Sequence, residues 1–278
     1  MRFMQQLQQA WQAHDSLVCV GLDPDPKRFP PMLQGDANAV FMFCAAIVDA
    51  TADLVCAFKP QIAHFAALGA EDALQRLIAH IHAAHPDVPV ILDAKRGDIG
   101  STAQHYAEEA FDRYQADAVT ANPYLGHDSI APFLERTDKG VILLCRTSNP
   151  GGANFQNLDC GGQPLYLRVA ETIATRWNAH GNCALVAGAT FPEELGKIRH
   201  AIGDMPLLVP GIGAQGGDVE AVLKHGLTHA GTGLIVSSSR AILYAGDGAD
   251  YAQAARHAAQ TLRDDINLHR QRLARHPA

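Results

Sequence analysis

The chain has no C-x-x-C pair, no Cys/His spacing that suits zinc, no low-complexity tract, no apolar run of membrane-spanning length and no excess of positive charge. Each absence removes a class of protein. The six cysteines (Cys19, Cys44, Cys56, Cys145, Cys160, Cys183) are scattered singly, four of them inside apolar strand-like runs where Cys acts as a small hydrophobe. Neither a disulfide framework nor a zinc knuckle is expected. A formal net charge of −7 leaves no basic footprint for nucleic acid, although a few local cations can still attract a small anion. No membrane contact is expected. The first residues, MRFMQQLQQAWQAHD, lack the apolar core of a signal peptide and read as a short amphipathic helix. Unpaired cysteines without an export signal point to the cytoplasm.

What is present is an ordinary globular composition. Of the 278 residues 47% are apolar and 18% charged, enough for a sizeable core. Eight short β-rich runs bounded by breakers stand out: SLVCVGLDP, LVCAFKP, VPVILDAKR, ADAVTANPY, GVILLCRTS, CALVAGA, PLLVPGIG and AGTGLIVSSS. Helix-like segments lie between them, at Asn38–Ala52, Glu71–Ala84, Ser101–Tyr114, Pro164–His180 and Gly217–His225. Strands alternating with helices indicate a parallel sheet, and continuous apolar strands indicate one covered on both faces. With no polar linker to divide the chain, the expectation is an α/β protein. It is one (β/α)₈ barrel domain over residues 1–278, with a short helix before the first strand and another at the C-terminus.

Nearly every strand candidate ends in polar or turn-forming residues: Asp23, Lys59, Asp93 with Lys95, Asn122, Ser148, Gly213 and Ser239. In a barrel these ends gather on one face, where active sites lie. The densest is LDAKRGDIGSTA, where Asp93, Lys95, Arg96 and Asp98 put four charges into six residues. Ions at the end of a buried strand are costly unless paired, solvated or used. Period-2 alternation places Ile91, Asp93 and Lys95 on one face, so Asp93 and Lys95 point into the barrel mouth, and Lys59 is aimed there too. A structural ion pair is the plain alternative. Ser101 and Gln104 read as a capping box for the helix STAQHYAEEAFDRY, which leaves Asp98 in the loop without a structural task. Flanking carboxylates favour the ammonium form of Lys95, against a Schiff-base mechanism and for an acid or an electrostatic clamp.

The run Gly211 to Gly216 matches G-x-G-x-x-G, but the acidic residue wanted about twenty positions later is missing, where Leu234-Ile235-Val236 stand. Position gives a better reading. These glycines follow the seventh strand and Ser237–Arg240 the eighth, the two loops that bind phosphate in many barrels, with Arg240 as the charged grip.

With these blocks in hand, the sequence resembles the orotidine 5′-monophosphate decarboxylase family. The blocks are VGLDPDP, FKPQIAHFAALG, LDAKRGDIGSTA, ANPYLGHDSI, LCRTSNPGG, VPGIGAQGGD and SSSRAILYA, which together cover nearly the whole chain. Arg96-Gly97 between Lys95 and Asp98 look like the longer bacterial subclass. The resemblance implies decarboxylation of orotidine 5′-monophosphate to uridine 5′-monophosphate. It implies that Asp23 and Lys59 hold ribose hydroxyls, that Asp93 sits beside the substrate carboxylate, and that Lys95 delivers a proton to C6. It implies a homodimer in which Asp98, Ile99 and Thr102 of one subunit serve the other's site. It further implies that Ser148 reads the pyrimidine edge and that Gln215 bridges base and phosphate, with Gly213 and Gly216 beside it. On the same resemblance Arg240 would grip the phosphate and NPGGANFQNLDCGG would form a mobile cover. No pyridoxal, thiamine or metal motif is visible, so no cofactor or metal is expected, and a fixed ammonium stabilises the developing carbanion. Two rivals remain open: an Mg²⁺-dependent sugar-phosphate decarboxylase or aldolase on the same barrel, and a non-catalytic sensor of phosphoribosyl ligands.

Overall fold

The computed structural model describes residues 2–212 and 218–275. Eight strands run in parallel: β1 (Val18–Leu22), β2 (Ala57–Pro60), β3 (Ile91–Arg96), β4 (Ala118–Ala121), β5 (Gly140–Arg146), β6 (Cys183–Ala187), β7 (Leu207–Pro210) and β8 (Leu234–Ser238). Their order is β2-β1-β8-β7-β6-β5-β4-β3. Bridges Phe58↔Val90 and Gln61↔Asp93 bring β2 against β3 and close the ring into a (β/α)₈ barrel. Each strand falls inside one of the eight runs read from the sequence. β1, β4, β6 and β8 are buried along their full length, because side chains fill the interior and helices cover the outside.

The helix Phe3–Ala13 forms the barrel floor. Trp11 Nε1 donates to Leu234 O at the start of β8 (3.0 Å), and the Phe3 ring occupies the space a side chain at Gly140, the start of β5, would need. With the N-terminal end plugged, the opening lies at the C-terminal ends. The helix Tyr251–Arg275 closes the sequence, and Phe43 stacks with Phe29 at 4.4 Å, Tyr251 at 5.4 Å and Tyr244 at 5.6 Å. Offset aromatic pairs are each worth roughly 0.5–1.5 kcal/mol beyond their burial. This cluster fixes the loops after β1 and β8 to one another. Among the described residues no helix is long and apolar enough to cross a membrane.

Of the five helices read from the sequence, Glu71–Ala84 keeps its bounds, two others shift by one or two residues, and two change more. The helix after β3 spans Gly100–Glu108, and the capping box at Ser101 and Gln104 does not form. Gly100 at φ 56° turns the chain one residue early, so extended Ile99 stands at the cap and no side chain accepts from the first turn. That helix and the one at Leu165–Thr172 then each widen into a π turn, Glu109–Arg113 and Ile173–Trp177.

Candidate active site

A cavity of about 420 Å³ opens at the C-terminal ends of the strands, lined by Asp23, Lys59, Asp93, Lys95, Ser148 and Arg240 among others. Six residues from the C-terminal ends of five strands, or just beyond them, thus meet where the topology requires. The charged array is compact. Lys59 Nζ donates to Asp93 Oδ2 at 2.9 Å, and Lys95 Nζ donates to Asp93 Oδ1 at 2.6 Å. Lys59 and Asp93 are buried, whereas the Lys95 side chain is 44% exposed and faces the open cavity. Burial alone would raise the Asp93 carboxyl, but the ammonium groups of Lys59 and then Lys95 hold it well below the usual carboxylate range. Burial would likewise lower Lys59, and the carboxylates of Asp93 and Asp23 outweigh it and keep the ammonium well above its ordinary range.

Alternation along β3 does not account for Lys95. The β3–β4 register shifts between Leu92 and Arg96, and Lys95 takes φ 48°, a conformation L residues rarely adopt. Lys95 therefore reaches the mouth through a bulge rather than through the pleat. Thr120 at the end of β4 meets this bulge: its hydroxyl accepts from Ala94 N (3.0 Å) and Lys95 N (2.9 Å) and donates to Asp93 Oδ1 (2.9 Å). Nothing in the residue pattern signals this role, since a Thr in a strand is an ordinary β-former. Arg96 turns away from the cavity, pairing with Glu109 through Nε (2.9 Å) and Nη2 (3.1 Å) and lying over the Tyr106 ring. Gly97 passes within 3.2 Å, measured from an added Cβ, of Asn122 O, so the β3 and β4 loops pack closely.

Asp23 lines the cavity, and its Oδ1 is buried without a hydrogen-bond partner, an acceptor free for a ligand hydroxyl. Its backbone is fixed by Tyr244, whose hydroxyl donates to Asp23 O (3.1 Å) and accepts from Asp25 N (2.7 Å). Ser148 stands over Gly188, where a Cβ would come within 2.8 Å of the Ser148 backbone. At the β8 rim, Ser237, Ser238, Ser239 and Arg240 line the cavity beside Gly211. Gly213, Gln215 and Gly216 lie outside the described residues.

Asp98, Ile99 and Thr102 do not join the array within this chain. None of the three lines the cavity; Asp98 Oδ1 accepts from Ile99 N (2.8 Å), and Ile99 is 59% exposed. The segment after Ser148 folds into two short helices, Pro150–Gly152 and Ala153–Gln156. Gln156 bonds Thr147 and the buried Arg146, whose guanidinium also pairs with Glu194. Buried thiols offer no nucleophile: desolvation pushes Cys19, beneath Lys59, up to about 12. Among the described residues one His/Asp group is tight enough to share an ion, Asp49 with His80 and His85. It lies on outer helices away from the cavity, and Asp49 Oδ1 already accepts from both imidazoles (2.7 and 2.9 Å).

The model of the orotidine 5′-phosphate decarboxylase / HUMPS family matches residues 16–255. The chain belongs to that family. Among its orotidine 5′-phosphate decarboxylase relatives, that of Azoarcus sp. (strain BH72) is 67% identical over 270 residues, covering 97% of this chain and 100% of the relative. That of Dechloromonas aromatica (strain RCB) is 63% identical over the same length. The solved structure of Leishmania donovani OMP decarboxylase superposes with a TM-score of 0.85 at 38% identity, covering 98% of this chain and 99% of that one. The decarboxylase family thus accounts for the barrel and for the cavity at its C-terminal end.

Proposed function

We propose that this protein removes carbon dioxide from orotidine 5′-monophosphate to give uridine 5′-monophosphate, as the printed names of its relatives describe for them. One observation of the site supports this most directly: a buried carboxylate, Asp93, clasped between two ammonium groups, with Lys95 on the cavity side. The bond from C6 to the carboxylate breaks, the electron pair stays on C6, and carbon dioxide leaves. Lys95 stabilises that charge as it forms and transfers a proton from Nζ to C6, then recovers one from solvent. Asp93 crowds the substrate carboxylate, which favours its loss. Asp23 and Lys59 bind the ribose hydroxyls, and the unpartnered Asp23 Oδ1 suits that task. Ser148 meets the pyrimidine edge, and Arg240 with Gln215, Gly213 and Gly216 takes the phosphate. Binding energy from that remote end supports the chemistry at C6.

The functional unit in this reading is a homodimer of single-domain barrels. The exposed Ile99, with Tyr124 (81% exposed) and Leu125 on the adjoining β4 loop, gives a second copy an apolar rim to cover. Asp98 then enters the partner's cavity as the fourth charge of the array, with Ile99 and Thr102 beside it. The six free thiols suit a reducing cytoplasm. The deciding experiment follows the ultraviolet band of orotidine 5′-monophosphate with chelator-treated protein. Rapid decay without metal is expected. A stable band, with turnover of a sugar phosphate on adding Mg²⁺, would overturn the assignment and make Asp93 and Asp98 metal ligands.

A further inference from the structure

We infer that Thr120 is the positioning residue that sets the ammonium of Lys95 against Asp93 and so aims the proton it delivers. This rests on the decarboxylase reading above. Between Leu92↔Val119 and Arg96↔Ala121, four steps along β3 face two along β4, so the residues between them leave the ladder. The amides of Ala94 and Lys95 are left without strand partners. The Thr120 hydroxyl accepts both, at 3.0 and 2.9 Å, and gives its one hydrogen to Asp93 Oδ1. A hydroxyl has one donor and two lone pairs, so its capacity is filled.

The oxygen that receives this hydrogen is the one that holds Lys95 Nζ at 2.6 Å. Thr120 therefore grips Lys95 at both ends, its backbone amide directly and its ammonium through the shared carboxylate. That grip matters because Lys95 sits at φ 48°, a conformation that is strained for a residue with a Cβ and persists only where the surroundings over-determine it. Thr120 is 1% exposed and β-branched, so its χ1 is stiff and the hydroxyl has one place to go. Neither the ribose contact at Asp23 nor the phosphate contact at Arg240 involves it.

The test compares Thr120→Val, which keeps shape and removes the hydroxyl, with Thr120→Ser, which keeps the hydroxyl. For Thr120→Val, kcat on orotidine 5′-monophosphate is expected to fall roughly 10- to 100-fold, the scale of a misplaced reacting group, while KM and uridine 5′-monophosphate affinity stay within about threefold. Thr120→Ser is expected to stay within about threefold of wild type in kcat on the same scale. A Val variant as fast as wild type, a Ser variant as slow as Val, or equal losses in kcat and nucleotide affinity would each overturn the proposal. A crystal structure of Thr120→Val is read independently of activity. Lys95 is expected to leave its left-handed conformation or its contact with Asp93, and a Lys95 unmoved sinks the idea. Wild-type protein inert on the nucleotide would instead refute the decarboxylase reading, and the crystallographic result would still decide whether Thr120 holds Lys95.

Discussion

Replacing Lys59 with Met removes one ammonium from a pair whose side chains are 6% and 8% exposed and whose charged atoms stand 2.9 Å apart. Breaking such a pair from one side leaves a buried carboxylate uncompensated, at a cost of about 3–5 kcal/mol. Lys95 and Thr120 still bond Asp93 Oδ1, so the lower end, about 3 kcal/mol, is expected. At roughly 2–4 °C per kcal/mol for a domain of this size, the melting temperature should fall by about 6–12 °C at pH 7. The pH dependence supplies the sharper check. In the wild type Asp93 is held below its ordinary value of 3.8, so its stabilising contribution is present above that value and lost as pH falls through the lower folded value. Without Lys59, burial raises the carboxyl, and protonation then relieves the variant. The gap between wild type and Lys59→Met should therefore narrow from pH 7 to pH 4. Adding Asp93→Asn removes the stranded charge and should recover about half or more of the lost stability while turnover stays absent. Melting followed by circular dichroism across that range, with turnover read by ultraviolet absorbance, measures both. A gap that is the same at every pH, or a double variant no more stable than the single, would refute the reasoning.

Arg240→Ala should raise KM for the phosphorylated substrate roughly 10- to 100-fold, the worth of a charged hydrogen bond or two, and leave binding of the unphosphorylated nucleoside unchanged. Isothermal titration of both ligands decides it, and equal losses for the two would place the phosphate elsewhere. Because Lys59 is held above and Asp93 below their ordinary ranges, neither changes charge near neutrality, and kcat should show no acid limb centred above about pH 5. A midpoint between pH 6 and 8 that Asp93→Asn abolishes would contradict the ionised pair. Finally, Lys95→Ala and Asp98→Ala should each be inactive alone, yet a refolded equimolar mixture should regain about a quarter of wild-type turnover, since half the dimers are mixed and each has one intact site. No regain would rule out the shared site.

The barrel was legible because its signal is local. Each strand is a short apolar run closed by a breaker, and burial on both faces makes that run continuous, so β1 to β8 all fall inside segments the sequence marks. The gathering of Asp23, Lys59, Asp93, Lys95, Ser148 and Arg240 around one cavity follows from the same regularity, since parallel strands of a closed ring share one C-terminal end. The capping box at Ser101 failed for an equally local reason: the positive φ of Gly100 competes for the same turn, and spacing alone does not show which wins. What only the tertiary structure decided are the contacts between residues distant in the chain. Thr120 lies 27 positions from Asp93, and its role exists only because a register shift frees two amides opposite its hydroxyl. The pairing of the buried Arg146 with Glu194, 48 positions away, is of the same kind. Residue types and their periodicity set which elements form and which charges reach the mouth. Hydrogen-bond partners and the conformation of Lys95 depend on how the strands come into register, and that is settled only when the ring closes.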